Sequence, residues 1–177
     1  MAYKRRKTIK KNKGQGKILH NKTVVDGITF DSKMESDYYK YLKEQQRLGI
    51  VKSFKLQPEY ILQPKFFILN NEIVLETNDD YKEKNKERLK WNKEHPDNKI
   101  NIIPAIKYIS DFEVIYKNGS IKAIDPKGIK TADFKLKEKM FKFRYPHLEL
   151  ICVIYDKKTD KWLEYNEWEK QKKSRKK

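Results

Sequence analysis

Two stretches of alternating apolar and polar residues, 106–116 and 120–127, flank the dipeptide Asn118-Gly119. That arrangement leaves the chain few choices, because Asn-Gly between alternating runs is a strong short-range signal for a β-hairpin. Each predicted strand carries an acid. Asp111 sits within Ile106-Lys107-Tyr108-Ile109-Ser110-Asp111-Phe112-Glu113-Val114, and Asp125 opens Asp125-Pro126-Lys127 after Ile121-Lys122-Ala123-Ile124. Strand side chains alternate sides, so Asp125 and Lys127 point to one face, where the acid of the preceding antiparallel strand can join them. Aspartate is depleted in strands, and a carboxylate turned inward is costly unless a cation meets it. Two carboxylates and an ammonium converging on one spot are what is needed to hold a divalent cation and prepare a water for attack on a phosphodiester.

The rest of the chain supplies elements to support that hairpin. Thr23 to Phe30 reads as two short extended pieces around an Asp26-Gly27 turn. A helix is predicted over about 32–48: Ser32-Lys33-Met34-Glu35 has capping-box spacing, and Gly49 supplies a C-terminal stop. The run from Val51 to Leu69 alternates but contains Pro58 and Pro64, which predicts a bent or edge-forming strand region. Residues 79–95 are almost wholly charged and predict an exposed helix, read as a solvated connector in preference to a DNA- or partner-facing lever. Leu136, Met140 and Phe143 mark a second amphipathic helix ending before Pro146, with Phe141 and Phe143 read as core residues. Leu148 to Tyr155 is the continuous apolar run of a strand buried on both faces, and Trp162 to Tyr165 suggests one more short strand. A helix crossing from the Asp125 strand to the Leu148 strand makes those two parallel in a mixed sheet.

Length and charge bound the organisation. A chain of 177 residues fits one domain, 18–169, with an insertion at about 70–104. The formal charge of +17 is concentrated at the ends. Residues 1–17 hold eight Lys/Arg and no acid, residues 170–177 hold six and no acid, and 18–169 carries 28 bases against 25 acids. Both ends read as flexible basic tails that neutralise phosphates without reading sequence, with Lys4, Arg5 and Arg6 as candidate contacts. A lysine-rich composition that merely aids solubility is the bland alternative. The single cysteine, Cys152, excludes an intramolecular disulfide and a thiolate metal site. With no apolar stretch long enough to span a bilayer, the expectation is a cytoplasmic protein with no membrane partner.

Phe30-Asp31-Ser32-Lys33-Met34-Glu35, Leu56-Gln57-Pro58, Ser110-Asp111-Phe112 and Asp125-Pro126-Lys127-Gly128, in this order, resemble the PD-(D/E)xK nuclease superfamily. The resemblance covers about Phe30 to Tyr155 and is nearest to the branch of transposon end-cleaving and very-short-patch repair endonucleases, closer still to small phage-encoded proteins of unassigned function. It implies an α/β fold with a restriction-endonuclease-like αβββαβ core, its mixed central sheet flanked by helices, and an endonuclease acting on DNA with Mg²⁺ or Mn²⁺. Carried onto this chain, it implies Asp111 and Asp125 as metal ligands and Glu35 as the third acid. The Pro126 backbone carbonyl would be a further ligand, Lys127 the cation beside the attacking water, and Gln57 an accessory. The bland readings are a strand-closing Asp-Pro-Lys, a Glu35 that only caps its helix, and a structural ion cluster.

Lys130, Lys135 and Lys139 follow the motif and are candidate backbone contacts, although a solvated helix face is their commoner role. His20, His95 and His147 are dispersed and support no zinc or histidine-based hydrolase. Gly14-Gln15-Gly16-Lys17 lacks the preceding strand of a nucleotide-binding loop. Two alternatives stay open: a Holliday-junction or branched-DNA resolvase of the same fold, which needs a homodimer carrying two sites, and a nucleic-acid-binding protein without catalysis.

Overall fold

The structure is a computed structural model and describes residues 22–175. Strands β1 (Thr23–Val25) and β2 (Ile28–Phe30) pair around Asp26 and Gly27, both at positive φ, as a two-residue hairpin turn of the primed type requires. Helix α1 (Lys33–Arg47) starts where Ser32 Oγ accepts the Glu35 N–H. It stops at Gly49, φ 75°, where the Gly49 N–H donates to the Gln46 carbonyl and the Ile50 N–H to the Gln45 carbonyl. That 5→2 and 6→1 pair is the Schellman ending that glycine permits. The elements that follow are β3 (Val51–Leu56), β4 (Glu59–Gln63), β5 (Phe66–Leu69), β6 (Glu72–Leu75), α2 (Tyr81–Glu94), β7 (Ile106–Ile109) and β8 (Phe112–Tyr116). Then come β9 (Ile121–Pro126), α3 (Ala132–Arg144), β10 (Glu149–Asp156), β11 (Lys161–Glu164) and α4 (Tyr165–Ser174).

Five strands form a mixed sheet in the order β11-β10-β9-β8-β3, so the protein is α/β with a mixed central sheet. β8 runs antiparallel to both β3 and β9, β9 and β10 run parallel, and β11 returns antiparallel. The parallel pair needs a long crossover, which α3 supplies. On one face Tyr38, Tyr39 and Leu42 of α1 pack on Val114, Ile124 and Val153. On the other, Phe134 and Phe141 of α3 pack on Ala123, Leu150 and Cys152, with Tyr60 and Tyr108 completing the cluster. The apolar stripe expected on α3 is therefore corrected: Leu136 and Phe143 are 60% and 89% exposed, whereas Phe134 and Phe141 are buried. Apolar residues surround this helix, so periodicity does not select a face, and the rings one heptad apart win by filling the space between Tyr60 and Tyr108.

The stretch expected as one strand over 106–116 is divided at Ser110-Asp111. The long ribbon nevertheless keeps its register. Leu56 faces Phe112 and Glu59 faces Ile109. Between them the Gln57 N–H donates to the Asp111 carbonyl and the Ser110 N–H to the Pro58 carbonyl, at 3.0 and 3.2 Å. The bend is made by Gln57 at φ 48°, a left-handed conformation uncommon outside glycine, ahead of a proline.

Two further corrections concern the ends and the insertion. Residues 170–174, read as flexible tail, belong to α4, because Tyr165 and Trp168 pack on the α3-side core and anchor the helix. The sequence hides this, since only two apolar residues three apart stand in a charged run. Helix α2 is more than a solvated connector: with β5 and β6 it encloses a small core of Phe67, Leu69 and Val74, flanked by Tyr81 and Ile100. Arg88 is buried there, donating to the Ile100 carbonyl at 3.0 Å and to Asn85 Oδ1 at 2.9 Å, with its guanidinium over the Phe67 ring. Among the described residues, no helix is long and apolar enough to cross a membrane.

The insertion therefore starts at β5, earlier than the 70–104 expected; Arg88→Ala should unlatch this small core without unfolding the central sheet, because its partners Phe67, Asn85 and Ile100 all lie outside that sheet. Amide hydrogen exchange should accelerate across β5, β6 and α2 while β8, β9 and β10 stay protected; uniform acceleration throughout would refute a separable insertion.

Candidate active site

The β8–β9 hairpin brings the acids together. Phe112 faces Ile124 in its ladder, so one step further along the same register Asp111 stands across from Asp125. Directly opposite residues on antiparallel strands lie on the same face, and like charges placed there repel. Asp125 is 1% exposed. Its Oδ2 accepts hydrogen bonds from the Tyr108 hydroxyl and from Lys127 Nζ, the latter at 2.5 Å, while its Oδ1 is buried with no donor. Lys127 is held there by β-ladder geometry, its N–H donating to the Val153 carbonyl, and its ammonium lies 4.9 Å from the Phe134 ring centroid.

Electrostatics follow from this crowding. Burial, then the charge of the neighbouring Asp125 carboxylate and a hydrogen bond with it, and more weakly Glu35, push the Asp111 carboxyl well above the usual carboxylate range, with Lys127 acting against them. The pair thus holds a proton at neutral pH, which two acids this close need in place of another cation. Burial and the Asp125 carboxylate also push the Tyr108 hydroxyl well above its ordinary value, so it remains a donor. Cys152, opposite Asp125 on β10, is pushed up to about 12 chiefly by burial and stays an inert thiol.

The other expected residues separate into three groups. Glu35 borders the same cleft as Gln57 and Asp111, but its carboxylate accepts from Ser32 Oγ at 2.8 Å and from the Asp31 N–H at 3.3 Å. Here it caps its helix, and among the described residues no three His, Cys, Asp or Glu side chains form a ready cage for an ion. Pro126 is buried at the strand end facing Val153. Gln57 contributes the strained bend beside Asp111. Lys130 turns inward, 10% exposed, pairing with Glu138 at 3.2 Å, whereas Lys135 and Lys139 are exposed on α3. Lys4, Arg5 and Arg6 lie outside the described residues.

Sequence reasoning missed Tyr108. Alternation turns it inward, but nothing in the sequence signals that its hydroxyl would reach across the strand break to Asp125. A Mg²⁺-sized cation suits the donor set, since it takes only one or two protein carboxylates and keeps several waters; Asp125 Oδ1 is a hard oxygen without a partner of its own, and the ion would take the place of the proton the acid pair holds.

In metal-free buffer at neutral pH, Asp111→Asn should melt several degrees above the parent, because a neutral amide needs no proton uptake to sit beside Asp125, and each kcal/mol of that cost removed raises the midpoint by about 2–4 °C in a chain of this size. A midpoint at or below the parent's would show that folding imposes no such cost on the pair.

No curated protein matches this chain, and no solved structure does. Residues 15–161 match the model of a family described as "Protein of unknown function (DUF1064)". That match spans both acid-bearing strands, the insertion and α3, and it makes the protein a member of the DUF1064 family.

Proposed function

We propose that this protein is a divalent-metal-dependent endonuclease that hydrolyses phosphodiester bonds in DNA. The observation that carries the reading is the meeting of Asp111, Asp125 and Lys127 at the end of the β8–β9 hairpin, with one buried carboxylate oxygen lacking a donor. The element order α1-β3-β8-β9-α3-β10, with β9 and β10 parallel, supports a restriction-endonuclease-like αβββαβ core. A structural ion pair would need only Asp125 and Lys127. It gives no reason to place Asp111 against them at the cost of its ionisation.

Asp111 and Asp125 would hold Mg²⁺ or Mn²⁺, which when bound polarises a phosphoryl oxygen and lowers the pKa of a bound water. Lys127, paired with Asp125 at 2.5 Å, would supply positive charge next to the phosphoryl oxygens as charge grows on them. Tyr108 fixes the rotamer of Asp125 through Oδ2, leaving Oδ1 for the ion. Phe134, beneath Lys127, keeps water from the back of the site and holds the ammonium over its ring. Glu35 caps α1 with an oxygen at the rim of the cleft, where it can bind a water of the ion's shell.

Supercoiled plasmid, linear, flapped and four-way DNA, each incubated with and without Mg²⁺ or Mn²⁺, tests the reading. Cleavage should require the metal and fall by about 10²–10³ or more in Asp125→Ala, the scale on which removal of one preorganised group acts. Binding to the same DNA in EDTA should persist in that variant. DNA that is bound yet never cut with either metal would leave only a nucleic-acid-binding protein.

A further inference from the structure

Helix α4 does more than cap the sheet. Trp168, Lys172 and Lys173 lie at three-, seven- and eight-residue steps from the buried Tyr165, and together they line a groove floored by Gly128 and Ile129. Gly128 directly follows Lys127 of the candidate site. The groove continues between α4 and α3, where Lys135, Lys139 and Lys142 form the opposite bank. Six lysines and two acids line its two parts, and one of those acids, Glu138, is already matched by Lys130 at 3.2 Å and Lys142 at 3.9 Å. From Lys135 to Lys142 the bank runs about 10 Å along the helix axis, close to three nucleotide steps of one DNA strand. Lys172 Nζ stands 4.5 Å from the Trp168 ring centroid, which holds that charge at the groove wall. Ile129, 71% exposed, projects at the inner end.

We propose that the α3–α4 groove is the track along which the sugar-phosphate backbone of a DNA duplex leaves the cutting site, with α4 as a docking helix rather than a tail. The inference rests on the nuclease reading for its substrate. It is argued from charge complementarity, from two separate helices supplying one basic channel, and from that channel ending at the loop after Lys127. A solvated helix face would explain lysines on either helix alone, but not their lining of one groove that reaches the Gly128–Ile129 loop.

The test uses the full chain in EDTA and a labelled duplex, with the logarithm of the binding constant followed against the logarithm of salt concentration. Two double variants cut the groove charge, Lys172→Ala with Lys173→Ala and Lys135→Ala with Lys139→Ala. A third, Lys82→Ala with Lys86→Ala on α2, removes equal charge elsewhere. Each groove pair should flatten the slope by about 0.9 for every phosphate left without its lysine, hence by nearly two, and the α2 pair by less than half as much. Equal flattening in all three overturns the proposal, because binding then follows net charge. So does unchanged DNA binding in the groove variants when their binding to phosphatidylglycerol vesicles is abolished. Cleavage by the parent with Mg²⁺, combined with unchanged slopes in the groove pairs, sinks the track and spares the nuclease. The expected slopes without any cleavage would sink the nuclease and leave the track as a phosphate-binding surface. No DNA binding by the parent sinks both.

Discussion

Two carboxyl groups held directly across from one another on adjacent strands cannot both ionise without help, and much of this structure supplies that help. The three-residue loop around Asn118 and Gly119, closed by the Tyr116 N–H donating to the Ser120 carbonyl, sets the register. Asp111 and Asp125 lie symmetrically about Asn118, so the turn that makes the hairpin also makes the acid pair. A one-residue slip would send one carboxyl to the α1 face of the sheet and dissolve the site. Tyr108 and Lys127 then saturate one oxygen of Asp125, and Phe134 of α3 closes over the lysine. Helix α3 is therefore more than a crossover, since its first buried ring seals the site that its own strand connection creates.

Much of this was legible in the sequence because the decisive signals are local. Asn118-Gly119, the capping sequence at Ser32, Gly49 and the Asp125-Pro126-Lys127 strand end each act over a few residues, and each is found where its chemistry requires. The hidden features depend on distant partners. Glu35 is the exception, a local case in which the capping spacing fits the Ser32 hydroxyl and Asp31 N–H contacts its carboxylate makes. Arg88 reads as one charge among many until Phe67 and the Ile100 carbonyl close around it. Tyr108 reads as ordinary strand apolarity until the break at Ser110-Asp111 brings its hydroxyl to Asp125.

Helices α3 and α4 show the same limit from the other side. On α3 the apolar residues encircle the helix, and tertiary packing selected Phe134 and Phe141 over Leu136 and Phe143. On α4 two aromatic rings suffice to dock a lysine-rich segment, although composition alone describes a solvated tail. A base-rich terminus becomes a shaped surface once any of its residues is anchored, and the difference lies in two side chains among ten.

The bend at Gln57 has a mechanical side. Its ribbon stays hydrogen-bonded through the kink, so β4 and β7 are stiff continuations of the strands that frame Asp111. The folded insertion lies between β4 and β7 in the chain, and a bridge from Phe66 to Ile103 ties its base. The Asp111 carbonyl is itself one rung of that ladder. The backbone that positions one acid of the pair is thus the same ribbon from whose far end a second, smaller core is hung.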